Sequence, residues 1–314
     1  MPIARSSLVV GPAKCVFNGA TFFTNQSFEP RLLPKTFNVR PLGFSQADKR
    51  DEDRMVDFDV IPDGRWSAAM IAALWPYLNA TPGASMFGSA DVPFIAHGAD
   101  AALFTALAVA VTKMPGVLFA ANKTLIGAAG FRGILGTGAA PDDSNQYLTY
   151  AASGGTFADS GFSLSAIKTQ LYTAAWGAVS GFTTLYGEEG FSLDFNMGSK
   201  EMFVAGFGTI DSRVQTVEAV LKCKPMGPTG AQVLAALKFA GSGNALGSSR
   251  QAGSAQLTLT GADGIVYLTM PKATMVEAGY RFGDDVLRNG EIGFAATINV
   301  SGGTQSNLCT LAAS

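Results

Sequence analysis

The sequence contains few charged residues, and the two signs nearly balance. Charged residues make up 15% of the 314 residues, with 22 Lys and Arg against 24 Asp and Glu, and the formal net charge is -2. No electrostatic field of one sign would therefore attract nucleic acid or an anionic membrane from a distance. DNA that meets this protein is not expected to be held tightly.

Cysteine and histidine are scarce. Cys15, Cys223 and Cys309 lie far apart with no Cys-x-x-Cys pair, so we expect three reduced and mostly buried thiols. The one histidine, His97, has no Cys near it in sequence, which favours a surface or capping side chain over a metal ligand or general base. No Gly-x-Ser-x-Gly motif accompanies it. The chain is therefore predicted not to be an enzyme and to use no cofactor.

Long hydrophobic runs are also missing. The longest, Ala101–Val111, is much shorter than the ~20 apolar residues that a membrane helix needs. Met1–Gly11 contains one Arg and an apolar patch too short for the core of a signal peptide. We therefore expect a soluble protein that is made in the cytosol, is not secreted and does not bind membranes.

Hydrophobic residues and glycine are plentiful, at 47% of the chain and 37 copies respectively. This composition and length favour two domains with a core each. Glycines at turns, with Phe and Val between them, are typical of a mainly β protein. Thr258–Met270 is predicted to form two strands around a turn, and Glu291–Val300 one buried strand. Helices are predicted only at Ser67–Tyr77 and Thr229–Phe239, where apolar residues have helical spacing.

These two helices belong to a longer repeat. Pro62 opens the first helix region and Pro225 the second, so the offset is 163 residues (225 − 62). At the same offset lie several further matches: Phe28 with Phe191, Phe58 with Leu221, Val60 with Cys223, Gly64 with Gly227, Ala68 with Ala231, Ile71 with Leu234, Ala72–Leu74 with Ala235–Leu237, Gly98–Asp100 with Gly261–Asp263, Gly127 with Gly290, Gly130 with Gly293 and Phe131 with Phe294. Met114-Pro115 and Met270-Pro271 match 156 residues apart, which we interpret as a seven-residue difference in a hairpin.

The repeat predicts a duplicated chain. Each copy is expected to contain several strands and one helix, so the fold class is mainly β with an α+β element in each repeat. The first domain is placed at 1–155, a Gly- and Ser-containing linker at 156–172 and the second domain at 173–314. In the first copy we expect Ala68, Ile71, Ala72 and Leu74 to form the helix face that covers a sheet.

At these residues the chain resembles the major tail tube proteins of long-tailed bacteriophages. The segment Met55–Gly88 is similar to their strand, Pro-x-Gly turn, helix and Trp-Pro-Tyr stretch. As in relatives, it is followed by a hairpin, then by Thr112–Leu135, and then by a tail that contains Ser and Tyr. The motifs are short, and they cover parts of both repeats. This chain departs from most of the family in carrying two such domains instead of one.

The resemblance implies that each copy folds as a small β-sandwich or half-barrel with one helix. It also implies a structural protein of the virion tail, assembled in the host cytoplasm. Family members form rings that stack into a tube, and double-stranded DNA passes through the lumen during ejection. Two domains per chain imply three chains per ring with pseudo-six-fold symmetry. The other implied partners are the tail terminator, tape measure and distal tail proteins. A terminator or distal-tail hub of the same fold is an alternative, and a soluble β-sandwich enzyme or carbohydrate-binding protein is a more remote one.

The candidate site residues are charged and lie in the first repeat. A loop is predicted before the Met55 strand, and we expect its charges to mediate contact between stacked rings. Asp57 and Asp59 share a face of that strand and are predicted to line the lumen; a calcium loop is disfavoured because the closing Glu is missing. The loop residues are Asp48, Lys49, Arg50, Asp51, Glu52, Asp53 and Arg54.

Two Gly-rich segments, at 136–145 and 241–250, resemble phosphate-binding loops only superficially. Neither has the Gly-Lys-Ser/Thr ending, so both are interpreted as flexible loops. The three tryptophans are expected in the core or at subunit contacts, because base-stacking platforms would be accompanied by basic neighbours. They are Trp66, Trp75 and Trp176.

Overall fold

Antiparallel strands make up most of the fold. The computed structural model describes residues 13–26, 29–39, 48–99, 101–121, 123–135, 147–158, 170–177, 180–205, 207–238, 246, 255–282, 287–298, 300–301, 304–305 and 307–313. Over these residues the chain is mainly β, with several antiparallel sheets and two short helices, as predicted.

The N-terminal half contains eleven of the described strands. Their bounds are β1 Lys14–Phe17, β2 Ala20–Phe23, β3 Arg31–Val39, β4 Asp48–Val60, β5 Phe94–His97, β6 Leu103–Ala106, β7 Ala108–Lys113, β8 Val117–Ala120, β9 Lys123–Ile126, β10 Ala129–Ile134 and β11 Leu148–Ala151. The described strands of the C-terminal half are β12 Tyr172–Trp176, β13 Leu185–Val204, β14 Gly208–Met226, β15 Ala255–Gly261, β16 Val266–Phe282, β17 Leu287–Ala296, β18 Val300–Ser301, β19 Thr304–Gln305 and β20 Thr310–Leu311.

Both predicted helices are present but shorter than expected. Helix α1 spans Ala68–Leu74 and helix α2 spans Gly230–Ala236. Ser67 and Thr229 are the N-caps, since each side chain accepts a hydrogen bond from a backbone N–H one turn later. Helix α1 ends before Trp75, which precedes a proline and is kept out of the helical region by the proline ring.

The buried face of α1 differs from the prediction. Met70, Ala73 and Leu74 are buried, whereas Ala68 and Ala72 are exposed. The predicted face included the exposed alanines because they match the other repeat; small residues at exposed helix positions are favoured by propensity and reveal nothing about packing. Of the predicted set, only Leu74 is fully buried and Ile71 is partly buried.

The sheets of the two halves differ in closure. In the N-terminal half one sheet has the order β11-β6-β5-β1-β2 and another has the order β3-β4-β10-β7. In the C-terminal half the order β12-β15-β16-β17-β14-β13 is closed by pairing of β12 with β13, which makes a six-stranded ring of strands. Residues 24–26 and 29–30 lie outside the strands in the N-terminal counterpart of the long strand β13, and Leu107 and residues 114–116 lie outside the strands in the counterpart of β16.

The 163-residue offset also relates the strand pairing of the two halves. In the N-terminal half Arg31 faces Asp57 across β3 and β4. In the C-terminal half Asp194 faces Val220 across β13 and β14, with each residue 163 positions later (194 − 31 and 220 − 57). The bulge that follows Lys35 in the first hairpin has its counterpart after Gly198 in the second.

The correspondence extends across the sheets, since further facing pairs are related by 163 at both of their residues. They are Phe58–Phe131 with Leu221–Phe294, Asp59–Gly130 with Lys222–Gly293, His97–Leu103 with Thr260–Val266, and the bridge Thr24–Pro62 with the pair Gly187–Pro225. The backbone thus repeats the pairing register even at positions whose side chains do not match.

The match predicted between the two Met-Pro pairs is wrong. Met270 faces Leu257 across β15 and β16, in the place where Ala106 faces Phe94 across β5 and β6. Tyr267 is one extra residue in a bulge, so the offset changes from 163 to 164 (270 − 106). A one-residue bulge, and not a seven-residue hairpin difference, separates the two strands.

Aromatic residues dominate both cores. In the N-terminal half Phe58 stacks on Phe131 at a centroid distance of 5.4 Å, and Phe94 lies 4.7 Å from Phe58. In the C-terminal half Trp176 packs against Phe294 at 5.1 Å. All three tryptophans are buried and donate their indole N–H to a backbone carbonyl: Trp66 to Ala312, Trp75 to Pro115 and Trp176 to Ala273. They are core residues, which is one of the two places that the sequence predicted for them.

Candidate assembly surface

A hairpin from the N-terminal half adds to the sheet of the C-terminal half. Strands β8 and β9 form this hairpin, and β8 pairs antiparallel with β13. Val117 faces Leu193 and Phe119 faces Phe191. One half of the chain thus supplies a strand to the edge of the other, which is the backbone arrangement of β-strand addition between molecules.

Phe119 anchors this hairpin. Its side chain is fully buried and lies 5.4 Å from the ring of Trp66, 5.2 Å from that of Tyr172 and 6.4 Å from that of Tyr267. Tyr172 and Tyr267 belong to the C-terminal half. Because these aromatic rings are packed together, the contact between hairpin β8–β9 and the C-terminal half is continuous with the hydrophobic core.

Two glycines form the base of the hairpin. Gly127 donates its N–H to the carbonyl of Gly116 over 2.8 Å. A Cβ atom at Gly116 would lie 3.2 Å from both the carbonyl oxygen of Leu193 and a carboxylate oxygen of Asp194. A side chain at this point would force its neighbours on β13 to shift by a few tenths of an ångström, so the glycine allows the close approach.

A second contact between the halves involves Asp53. Its buried carboxylate accepts hydrogen bonds from the backbone N–H of Thr209 over 3.0 Å and from the hydroxyl of Thr209 over 2.6 Å. Gly208 has a φ of +79°, and a Cβ there would lie 2.3 Å from the Asp53 carboxylate. The tip of the β13–β14 hairpin is thereby fixed on β4.

The prediction of a charged loop is wrong, because residues 48–54 form the first part of β4. They pair with β3, and their side chains make exposed ion pairs instead of projecting from a loop. Arg54 donates to Asp51 over 2.8 Å, while the Arg50–Asp48 and Lys35–Glu52 pairs each measure 3.3 Å. Strand pairing satisfies the backbone hydrogen-bonding groups here whatever the charge of the side chains. A hydrophilic sequence alone therefore does not distinguish a loop from a strand. Lys49 is exposed, and Asp53 is the buried exception.

Asp57 and Asp59 do share one face of β4, opposite the buried Val56 and Phe58. The carboxylate of Asp57 accepts two hydrogen bonds from Arg132, each 2.7 Å long. Hydrogen bonding to Asp57 raises the pKa of the Arg132 guanidinium, which therefore stays charged. Asp59 is exposed.

The acidic pair does not recur in the other half. The positions 163 residues after Asp57 and Asp59 are Val220 and Lys222. Lys222 lies 3.1 Å from the carboxylate of Glu277 and 3.9 Å from that of Glu291. The corresponding face of the C-terminal half therefore carries paired charges of both signs, and the two neighbouring aspartates belong to the first half only.

A groove of about 390 Å³ borders β3, β4 and β10 in the N-terminal half. Its charged lining residues are Glu29, Arg31, Asp57 and Asp59. In the C-terminal half the corresponding edge is the part of β13 that carries hairpin β8–β9. The same edge is thus covered in one half and open in the other, within the described parts of the chain.

His97 has a structural role. Its Nδ1 accepts a hydrogen bond from the backbone N–H of Thr156 over 3.0 Å. Burial, together with the positive charge of Lys14, lowers the pKa of the imidazole, so the ring is neutral near pH 7. The neutral ring is the form that can accept this bond.

The three cysteines are buried and form no disulfide. Burial raises the pKa of all three thiols, to about 12 for Cys223 and Cys309, which keeps them protonated and unreactive. Among the residues that the structure describes, no three His, Cys, Asp or Glu side chains are grouped as a metal site. The Gly-rich segment 136–145 lies outside the described residues, as does 241–250 apart from Leu246.

Sequence reasoning missed the residues that join the halves. Arg132 bonds Asp57 within the N-terminal half and Glu201 in the C-terminal half, and no sequence pattern marks Arg132 and Glu201 as partners. Phe119 could have been found, because Phe282 matches it at the 163-residue offset.

No family model matches this sequence, and no curated protein matches it either. Within the described part of the chain, neither helix has the length or the apolar character required to span a membrane.

Proposed function

We propose that this protein is a structural subunit of a bacteriophage tail tube, polymerising as stacked rings that form the conduit for double-stranded DNA. The observation that carries the proposal is the hairpin β8–β9, which adds to the edge of β13 within one chain. Repetition of that contact between chains would join sheets around a ring. The resemblance of Met55–Gly88 and Thr112–Leu135 to tail tube proteins supplies the biological setting.

The proposal includes duplication of one tail-tube-like domain. The repeated pairing registers support it, because residues that face each other in one half have counterparts 163 positions later in the other. The first domain comprises 1–155, the linker 156–172 and the second domain 173–314. Strand β12 starts at Tyr172, next to the proposed boundary.

Three chains per ring follow from two domains per chain. A head-to-tail contact generates a closed ring when its rotation closes, and two similar domains in each chain would give three chains six quasi-equivalent positions. Each domain would contribute four neighbouring strands to the wall of the tube: β3-β4-β10-β7 from the first domain and β13-β14-β17-β16 from the second.

The outer face of these strands would line the lumen. There Arg132 is bonded to Asp57 and Glu201, and Lys222 is close to Glu277 and Glu291. Cations that already have carboxylate partners offer few phosphate contacts, and few contacts mean weak, salt-sensitive binding to DNA. The DNA would therefore slide, and no catalysis or cofactor would be required.

Electron microscopy and native mass spectrometry of the purified chain test this function. Rings of three chains that stack into hollow tubes are the expected result. Single rings that never stack would instead indicate a terminator or hub of the tail, and a stable monomer at all concentrations would contradict the proposal. Other tail proteins need not be added, because tube formation is proposed as a property of the chain itself.

A further inference from the structure

We infer that the end of β16 in one chain, at Tyr280 and Arg281, pairs with the edge formed by Glu29 and Pro30 of a second copy. This inference rests on the proposed ring, and it assigns the surface through which neighbouring chains join. The partner is another molecule of this protein, bound head to tail.

The paired ends of β16 and β17, at Tyr280–Phe282 and Leu287–Asn289, correspond to hairpin β8–β9. In the N-terminal half Val117 faces Ile126, and in the C-terminal half Tyr280 faces Asn289, with both residues 163 positions later. The two following pairs obey the same offset: Leu118–Leu125 with Arg281–Arg288, and Phe119–Thr124 with Phe282–Leu287. The two hairpins therefore have the same register.

The base of each hairpin carries the same pair of glycines. Gly279 and Gly290 stand 163 residues after Gly116 and Gly127. A Cβ at Gly290 would lie 2.8 Å from the backbone of Gly279, just as one at Gly127 would lie 3.3 Å from the backbone of Gly116. Close cross-strand approach at this point is a feature of both hairpins.

The edge at Glu29 and Pro30 corresponds, by the same 163-residue offset, to the edge of β13 that binds hairpin β8–β9. Hairpin β8–β9 pairs with β13 at Phe191–Leu193, and two of these residues, Ser192 and Leu193, have Glu29 and Pro30 as counterparts. Glu29 lines the open groove beside β3. Within the described strands, the ends of β16 and β17 pair only with each other, and no strand pairs with Glu29 or Pro30.

The register of the contact follows directly. Leu118 faces Ser192 within the chain. By the same offset Arg281 of one copy would face Glu29 of the next, and Tyr280 would face Pro30. An apolar–polar pair inside the chain is thus replaced between chains by a pair of opposite formal charges, which favours this register over its neighbours.

One position weakens the ladder between chains. Pro30 stands where the C-terminal half has Leu193, and proline has no N–H to donate. Proline is tolerated at sheet edges and at the start of strands, which is where Pro30 lies, directly before β3. The contact between chains is therefore expected to be more polar and more readily reversible than the one inside the chain.

Disulfide trapping in a mixture tests the assignment. Glu29→Cys and Arg281→Cys are made in separate chains, because directly opposed residues in an antiparallel pair have Cα spacings that a disulfide can span. Mixed and oxidised, the two variants should give covalent dimers, whereas each variant alone should remain monomeric on a non-reducing gel. The native thiols are buried and should not compete.

Two further variants complete the test. Leu118→Cys with Ser192→Cys should form a disulfide inside one chain, which establishes that this register can be trapped. Glu29→Cys with Arg281→Cys in one chain should give closed covalent trimers. Closed hexamers would support the contact while contradicting three chains per ring.

The outcomes separate this inference from the proposed function. Rings or tubes that form without a covalent dimer in the oxidised mixture of Glu29→Cys and Arg281→Cys would overturn the contact and leave the tube function standing. Dimers from a protein that never forms tubes would support the contact and count against the tube. Neither dimers nor rings, with the control disulfide formed, would overturn both.

Discussion

Arg132 and Asp57 face each other on β10 and β4, and the guanidinium donates to both carboxylate oxygens over 2.7 Å. The side chains are 20% and 29% exposed, so water screens the pair only in part. Arg132 also bonds Glu201 of the other half. This one arginine therefore connects two strands of the proposed tube wall and the two halves of the chain.

Replacing Asp57 by Ala should lower the free energy of unfolding by about 1–3 kcal/mol, because a partly buried guanidinium loses a bidentate partner. Urea denaturation measures the loss. Asp59→Ala, on the same face of β4 but exposed, is the matched control and should change stability by less than about 0.5 kcal/mol. Equal losses in the two variants would show that the ion pair contributes little.

Asp53→Ala should also be destabilising, by about 1–3 kcal/mol, since the N–H and hydroxyl of Thr209 would lose their acceptor in a buried position. Glu52→Ala, one residue away and more exposed, is the control. Limited proteolysis provides a second readout: loss of the Asp53 contact should expose the tip of the β13–β14 hairpin to cleavage. Unchanged cleavage would argue against a role in fixing this tip.

Asp59→Lys should slow DNA ejection without preventing tube assembly. The exposed lysine would offer a phosphate contact in each first domain of the tube, and many such contacts add along the DNA. Ejection kinetics of phage carrying the variant measure the effect, which should diminish as salt rises. Asp59→Asn controls for loss of the carboxylate; ejection as fast as wild type in the lysine variant would place Asp59 away from the lumen.

Charge reversal at Asp51 and Glu52 tests the contact between rings. Both side chains lie in the first part of β4, within the charged residues 48–54 that are expected from the sequence to mediate contact between stacked rings. Lys at both positions should shorten tubes seen in micrographs, and most strongly at low salt, because the Debye length is ~8 Å at physiological ionic strength. The exchange variant Asp51→Arg with Arg54→Asp keeps the ion pair between these two positions. It therefore distinguishes loss of this ion pair from loss of the contact between rings. Tubes of normal length in the lysine variant would show that Asp51 and Glu52 do not take part in the contact between stacked rings.

His97 should make stability fall on acidification. Its pKa is lowered in the folded state, so its contribution is fully present above the unfolded-state value near 6.5 and is lost as pH falls through the lower folded-state value. Thermal unfolding between pH 7.5 and 5 (about the range in which histidine titrates) measures this. His97→Gln should have a flatter profile, and an identical slope in both proteins would assign the pH dependence to carboxylates.

The sequence correctly predicted helices and turns that are marked by residues close together in the chain. Ser67 and Thr229 begin the two helices as caps, and the turn after Gly261 separates two strands as predicted. The failures have physical reasons. Residues 48–54 look like a solvated loop, yet their backbone pairs with β3 because strand pairing does not require apolar side chains.

The contacts between halves could not be read from motifs. Asp53 meets Thr209 across 156 residues of sequence, and neither residue type signals a partner at that distance. The 163-residue offset, by contrast, is visible in the sequence at a few residues such as Phe131 and Phe294, and the same offset relates facing positions with unlike side chains in the structure. Backbone register is shared more widely than side-chain identity.

The pairing of β8 with β13 has an entropic consequence for assembly. Each bimolecular association costs about 4–15 kcal/mol of translational and rotational freedom. In a ring of three such chains, half of the sheet junctions would form during folding, when their two sides are already tethered at high effective concentration. Only the other half would carry the cost of bringing separate molecules together, so a ring could close at a lower subunit concentration than one built from six single domains.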